Sequence, residues 1–180
     1  MGALAVVNAS RGTDLRITVG DEFQGTVASV GEATAISLAL RLALLPAHDL
    51  RHGIGRGPTA VLDRGSGIED GPGWWAAREA IEAVKHLAGG SAPQSARNTV
   101  RPAEDTEGAG AVEAALLGRD ELVGRLDDRS LSVLRGLMSG RSQRDLADDE
   151  SVSASAISQR VRHDGMGVIV MMSKWLEDQP

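Results

Sequence analysis

Two neighbouring carboxylates, Asp21 and Glu22, follow a glycine in the stretch TVGDEFQG, residues 18–25. Carboxylate oxygens bind divalent cations, so the pair could hold Mg²⁺ beside a nucleoside triphosphate. Gly-Asp is also common at the tip of a β-hairpin, and adjacent residues on a strand point to opposite faces. Asp21 is therefore either a vestigial metal ligand or a turn residue. We expect no cofactor unless Asp21 binds Mg²⁺.

A second group of residues with chemical potential lies in SQRDLADDESVSASAISQRVRHDG, residues 142–165. Ser142 and Ser153 are suited to cap two successive helices, and Val152 supplies an apolar residue just before the second cap. Apolar residues at helical spacing are expected to face inward: Leu146, Ala147, Ala156, Ile157 and Val161. Side chains that can bond base edges or phosphates are the DNA-binding candidates: Arg144, Ser155, Ser158, Gln159 and Arg162. The pattern resembles a helix-turn-helix.

Two positions of this stretch depart from the usual pattern. Glu150 stands where a large apolar residue usually precedes the turn, and Ser151 stands where glycine is usual. A left-handed backbone at Ser151 would cost on the order of 1 kcal/mol. Nearby carboxylates also offset the arginines, so we expect weak binding per copy, helped by dimerisation. The alternative is a helical hairpin that packs against the rest of the chain or against a second copy.

The composition favours an intracellular protein. The chain has 180 residues, a net charge of -6 and 42% apolar residues, which suffices for one domain or two small ones. It has no cysteine, which excludes disulfides and thiolate metal sites. No signal peptide is recognisable, and the longest apolar stretch, residues 35–47, is too short to span a bilayer. We therefore expect a cytoplasmic protein with no membrane contact.

Periodicity and breaker residues divide the chain into two parts and a linker. The first part is expected to contain helices and strands in alternation: strand 15–19, helix 30–45, strand 50–57, strand 59–63 and helix 74–87. The glycines of the second strand predict a twist or bulge rather than a phosphate contact. Small, polar and breaker residues at 90–110 predict a flexible linker, and every later segment is expected to be helical. The predicted domains are 1–89 and 111–180.

Three blocks in order, TVGDEFQG, LRHGIGRGPTAVLD and DGPGWWAAREAIEAVK, closely resemble the SatD family. The resemblance implies a first domain distantly similar to nucleotide cyclases and GGDEF domains, followed by a helix-turn-helix. It makes Asp21 the counterpart of a metal-binding aspartate and Arg78 a nucleotide-binding candidate. The family's asparagine position is Trp74 here, and its first strand, with another aspartate, has no counterpart. Two-metal phosphoryl chemistry needs paired carboxylates, so we expect no catalysis.

The expected fold class is therefore α+β. An incomplete ferredoxin-like, nucleotide-cyclase-like domain would precede an all-helical helix-turn-helix domain. The expected function is transcriptional regulation by a homodimer on double-stranded DNA, with a nucleotide as a further candidate effector. The alternative is a nucleotide-binding or nucleotidyl-cyclase-like enzyme whose helical tail docks it to a partner.

Overall fold

The computed structural model describes residues 2–63, 65, 68–90, 94–104 and 108–180. Helices predominate and short strands accompany them, so the predicted α+β class is confirmed. The helices are α1 (Ala3–Arg11), α2 (Val30–Leu44), α3 (Pro72–Gly89), α4 (Ala109–Gly124), α5 (Asp128–Met138), α6 (Gln143–Asp149), α7 (Ala154–His163) and α8 (Met166–Glu177). The strands are β1 (Arg16–Ile17), β2 (Phe23–Gln24), β3 (His52–Arg56), β4 (Ala60–Asp63), β5 (Ile68–Asp70) and β6 (Asn98–Pro102). No helix in these ranges is long and apolar enough to cross a bilayer.

The strands pair two by two. β1 with β2 and β4 with β5 form antiparallel hairpins, and β3 runs parallel to β6 with His52 opposite Asn98. Within the described ranges the strands do not join into the single antiparallel sheet expected of a ferredoxin-like core. Helix α3 instead connects β3 to β6, because parallel strands need a crossover connection.

The predicted flexible linker, residues 90–110, is wrong in its central part. This segment contains β6, in which Asn98, Thr99 and Val100 are buried. The strand is polar in sequence, which made it resemble a linker. It is ordered because β3 pairs with its backbone along five residues and α3 and α4 pack on it.

The glycines of β3 have a different role from the predicted twist or bulge. A Cβ at Gly53 would lie 2.3 Å from the backbone nitrogen of Ile81, and one at Gly55 would lie 2.1 Å from the carbonyl oxygen of Gly73. Both obstructing atoms belong to the backbone of α3. Glycine is therefore required here because the helix approaches the strand more closely than any side chain permits.

A buried polar cluster ties α2, α4 and β6 together. The carboxylate of Asp120 accepts hydrogen bonds from the backbone N–H groups of Arg97 (2.7 Å) and Asn98 (2.8 Å), and from the Arg41 guanidinium (3.1 Å). Arg41 also donates to Asp49 at 2.6 Å. Burial raises the pKa of Asp120, while the charge of Arg41 acts in the opposite direction. Because buried charges require partners, these bonds fix the start of β6 against α4.

The two predicted domains contribute to a common hydrophobic cluster. Leu38 and Leu42 of α2 are buried in the same cluster as residues of α5, α6, α7 and α8. The guanidinium of Arg135 in α5 donates to the carbonyl oxygens of Leu42 (2.7 Å) and Leu45 (2.6 Å). Helix α2 thus supports both halves of the chain and holds the C-terminal helices in place.

Candidate nucleic-acid interface

Helix α6 begins with a capping box. The Ser142 hydroxyl accepts from the Asp145 N–H at 3.2 Å, and the Asp145 carboxylate accepts from the Ser142 N–H at 3.2 Å. The predicted cap at Ser142 is confirmed, and Leu146 and Ala147 are buried as predicted. The role of Asp145 was missed in the sequence, although an acid three residues after a serine cap is the signal for this motif.

A four-residue turn joins α6 to α7. Ser151 has a φ of 53°, the one positive φ of a non-glycine residue in the described ranges, as its position in the sequence led us to expect. Its N–H bonds the carbonyl oxygen of Asp148 at 3.2 Å, and the Val152 N–H bonds that of Ala147 at 3.0 Å. Ser153 then caps α7 by accepting from the Ala156 N–H at 3.2 Å. The turn is therefore fixed by backbone bonds to the end of α6 and by the Ser153 side chain at the start of α7.

The inner face of α7 is narrower than predicted. Ile157 and Val161 are buried, in agreement with the prediction, but Ala156 is exposed. Successive residues of a helix are about 100° apart, so Ala156 and Ser158 lie on either flank of the stripe that Ile157 and Val161 define. The prediction that Ala156 faces inward is wrong for this reason. Ser158, predicted to face outward, is half-buried.

The outward face of α7 presents three polar side chains. Ser155, Gln159 and Arg162 are exposed, and their spacing of four and three residues places them on one side of the helix. The Ser155 hydroxyl lies 2.9 Å from that of Ser153. Arg144, on α6, is exposed as well. The exposed faces of α6 and α7 thus carry side chains whose donors and acceptors can bond base edges and phosphates.

Several cations near this face are already paired. Arg160 donates to Asp127 at 3.2 Å and to the Ser130 hydroxyl at 2.8 Å, which docks α7 against the start of α5. Hydrogen bonds from Ser130, together with Arg160, hold the pKa of Asp127 below its usual range. Arg141 pairs with Asp149 at 2.6 Å. The positive charge available to a phosphate is therefore concentrated in few arginines, Arg162 among them.

Asp21 lies in a tight hairpin turn. The Glu22 N–H bonds the Val19 carbonyl oxygen at 3.1 Å, which closes a turn with Gly20 and Asp21 at its centre. Gly20 has a φ of 63°, and a positive φ at the first central position is the pattern of a type II′ turn. In the described part of the chain no group of three or more acidic or histidine side chains could hold a metal ion. The geometry favours the turn interpretation.

The nucleotide-binding candidate Arg78 is exposed on α3. Earlier on that helix, Trp75 is 63% exposed and its indole N–H donates to Asp70 at 2.8 Å. Trp74 is half-buried, and its indole N–H has no acceptor among the described residues. Arg78 therefore lies on the exposed side of α3, and two tryptophans precede it by four and three residues. The small residues of the same helix pack against β3.

Comparison with protein families gives a match over most of the chain. The model of the SatD family matches residues 8–176, which includes both the first-half elements and the α6–α7 pair. No curated protein matches the chain, and no solved structure matches it. The match covers nearly the whole sequence, and the chain therefore belongs to the SatD family.

Proposed function

We propose that this protein is a transcriptional regulator that reads double-stranded DNA with α6 and α7 acting as a helix-turn-helix. The observation that carries the proposal is the exposed polar face of α7, formed by Ser155, Gln159 and Arg162. The opposite face of the same helix is fixed in the core by Ile157 and Val161. A helix held rigidly on one side and polar on the other can enter a major groove.

The side chains on this face match distinct parts of DNA. The Gln159 amide can donate and accept at once, which suits the N6 and N7 edge of adenine. The Arg162 guanidinium suits either guanine or a phosphate. Arg144, exposed near the start of α6, is suited to a backbone phosphate, since arginine donates to phosphate oxygens. Few free arginines imply few phosphate contacts and therefore modest affinity for each copy.

The first half is proposed to be a degenerate cyclase-like part that senses or docks a partner and does not catalyse. The turn at Asp21 and the lone arginine Arg78 support this, because phosphoryl transfer with two metal ions needs paired carboxylates. A nucleotide effector, with or without Mg²⁺, is the partner that the resemblance suggests for this half. Helix α2 contacts both halves, so it could pass a change from one to the other.

Selection from a randomised duplex library tests the proposal. The wild type should enrich a defined sequence at low salt. Gln159→Ala should bind random DNA as the wild type does but lose roughly 1 to 3 kcal/mol of preference for the selected site, because it removes a base contact only. A control variant must not disturb the fold. Asn8→Ala would do so, because the Asn8 side chain donates to the carbonyl oxygen of Leu15. Gln24→Ala, a substitution of an exposed amide on the distant β2, is the matched control and should change nothing. A folded wild type that enriches no sequence would refute the proposal.

A further inference from the structure

Helix α8 has an apolar stripe that faces water. Val168 is 53% exposed, Met171 48% and Trp175 62%. Their spacing of three and four residues places them on one side of the helix. The opposite side is buried in the core through Ile169 and Leu176. The stripe is thus not required for the folding of a single copy, and its exposure is unfavourable in water.

The size of the stripe suits one half of a protein interface. Its three side chains expose on the order of 300 Å² of mostly apolar surface, about the size of the largest apolar patch that a monomer usually carries. A standard interface buries about 800 Å² per partner, of which a little over half is apolar. The stripe would supply most of that apolar area, and polar neighbours such as Lys174 would supply the rim.

We infer that this stripe is a self-association surface, and that its occupant is the α8 stripe of a second copy. A two-fold pair presents the same patch on both copies. In an antiparallel pairing centred between Met171 and Met172, Trp175 of one copy lies opposite the smaller Val168 of the other, so a large side chain meets a small one. The hydrophobic stripe is continuous along the helix, and such a seam matches a second helix of the same kind.

The biological purpose of this pairing rests on the proposed function. Helix α8 follows α7 after the short connection Asp164–Gly165, and the two helices contact each other. A two-fold axis between the two α8 helices would therefore also relate the two copies of α7, so that each copy contributes one recognition helix to the dimer. Two recognition helices so arranged read an inverted repeat. The self-association itself can be measured without DNA.

Cysteine cross-linking locates the interface, because the natural chain has no cysteine. Met171→Cys should form a disulfide-linked dimer under mild oxidation, since the residue lies next to the proposed axis. Ser132→Cys, exposed on α5 and outside the stripe, should give no disulfide-linked dimer at the same protein concentration. Sedimentation equilibrium gives the second measurement: Trp175→Gln should weaken the wild-type dimer at least tenfold, and its circular dichroism spectrum should remain that of the wild type.

The outcomes separate the two proposals. A wild type that stays monomeric at every concentration tested would overturn the self-association, whether or not it binds DNA. A dimer that Trp175→Gln leaves unchanged, with Met171→Cys no more cross-linked than Ser132→Cys, would also overturn it. A dimer that depends on Trp175 but binds no DNA would leave the self-association standing and refute the regulator.

Discussion

Replacement of Gly55 by alanine tests the close packing of α3 on β3. The added Cβ would lie 2.1 Å from the carbonyl oxygen of Gly73 and 2.3 Å from the nitrogen of Ala77. Ordinary contact between such atoms needs about 3.5 Å, so strand and helix must separate by roughly 1.4 Å. Neither atom can rotate away, because both belong to the backbone of α3.

The expected loss of stability is large for so small a change. Overpacking a core costs typically 1 to 3 kcal/mol, and the backbone obstruction places Gly55→Ala at the upper end, about 3 kcal/mol. Loss of glycine's freedom in the unfolded chain offsets this by only about 0.5 to 1 kcal/mol. The net destabilisation should therefore be about 2 kcal/mol, which is a substantial part of the total stability of a small protein.

Urea unfolding followed by circular dichroism measures this difference. The matched control is Gly110→Ala, an exposed helical glycine of α4 whose added Cβ would meet no atom within 4 Å. That variant should be as stable as the wild type or more stable by up to about 1 kcal/mol, because alanine favours helix. Equal stabilities of Gly55→Ala and the wild type would refute the close approach of α3 to β3.

Three further predictions concern single residues. Ser151→Gly should stabilise the protein by about 0.5 to 1 kcal/mol in urea unfolding, because glycine relieves the positive φ of 53°; a loss of stability would contradict the turn geometry. Burial, and after it the charges of Arg119 and Arg41, lower the pKa of His52 to about 3. In the unfolded chain His52 takes up a proton near pH 6.5, and in the folded chain it does not. The free energy of unfolding should therefore fall as the pH falls from about 6.5 to 3. His52 should contribute up to about 1.4 kcal/mol per pH unit to this fall. His52→Phe should have a shallower slope over this range, and an unchanged slope would contradict the burial. Mg²⁺ should change the melting temperatures of the wild type and of Asp21→Asn to the same extent, because Asp21 is a turn residue; a rise in the wild type alone would make it a metal ligand.

Local signals in the sequence were sufficient to predict the caps of α6 and α7 and the turn between them. Serines placed before apolar periodic runs predicted the caps at Ser142 and Ser153, and both are present. The turn position of Ser151 predicted its left-handed backbone, which is also present. Each of these features depends on residues within about five positions of one another. These features can therefore be predicted without knowledge of the rest of the fold.

The features that the sequence did not reveal depend on distant residues. The composition predicts a linker where β6 lies, because the order of this strand comes from β3 and from Asp120, which no local pattern indicates. The glycines of β3 predict a twisted or bulged strand, whereas the reason for them is the close approach of the α3 backbone, which follows later in the sequence. The partners of Arg160 are Asp127 and Ser130, which lie 33 and 30 residues earlier in the chain, so no local pattern identifies them. In each case the partner is determined by tertiary packing.

Salt-dependent binding to duplex DNA tests the central claim most directly. Fluorescence anisotropy should show that the wild type binds at low salt and weakens steeply as salt rises, because phosphate contacts release counterions. Arg162→Ala should bind more weakly, and its plot of log affinity against log salt should be shallower by about one unit if Arg162 contacts a phosphate. Arg51→Ala, which removes an equally exposed arginine before β3, should behave as the wild type. The account is contradicted if the folded wild type shows no affinity for DNA at low salt, or if Arg51→Ala weakens binding as much as Arg162→Ala.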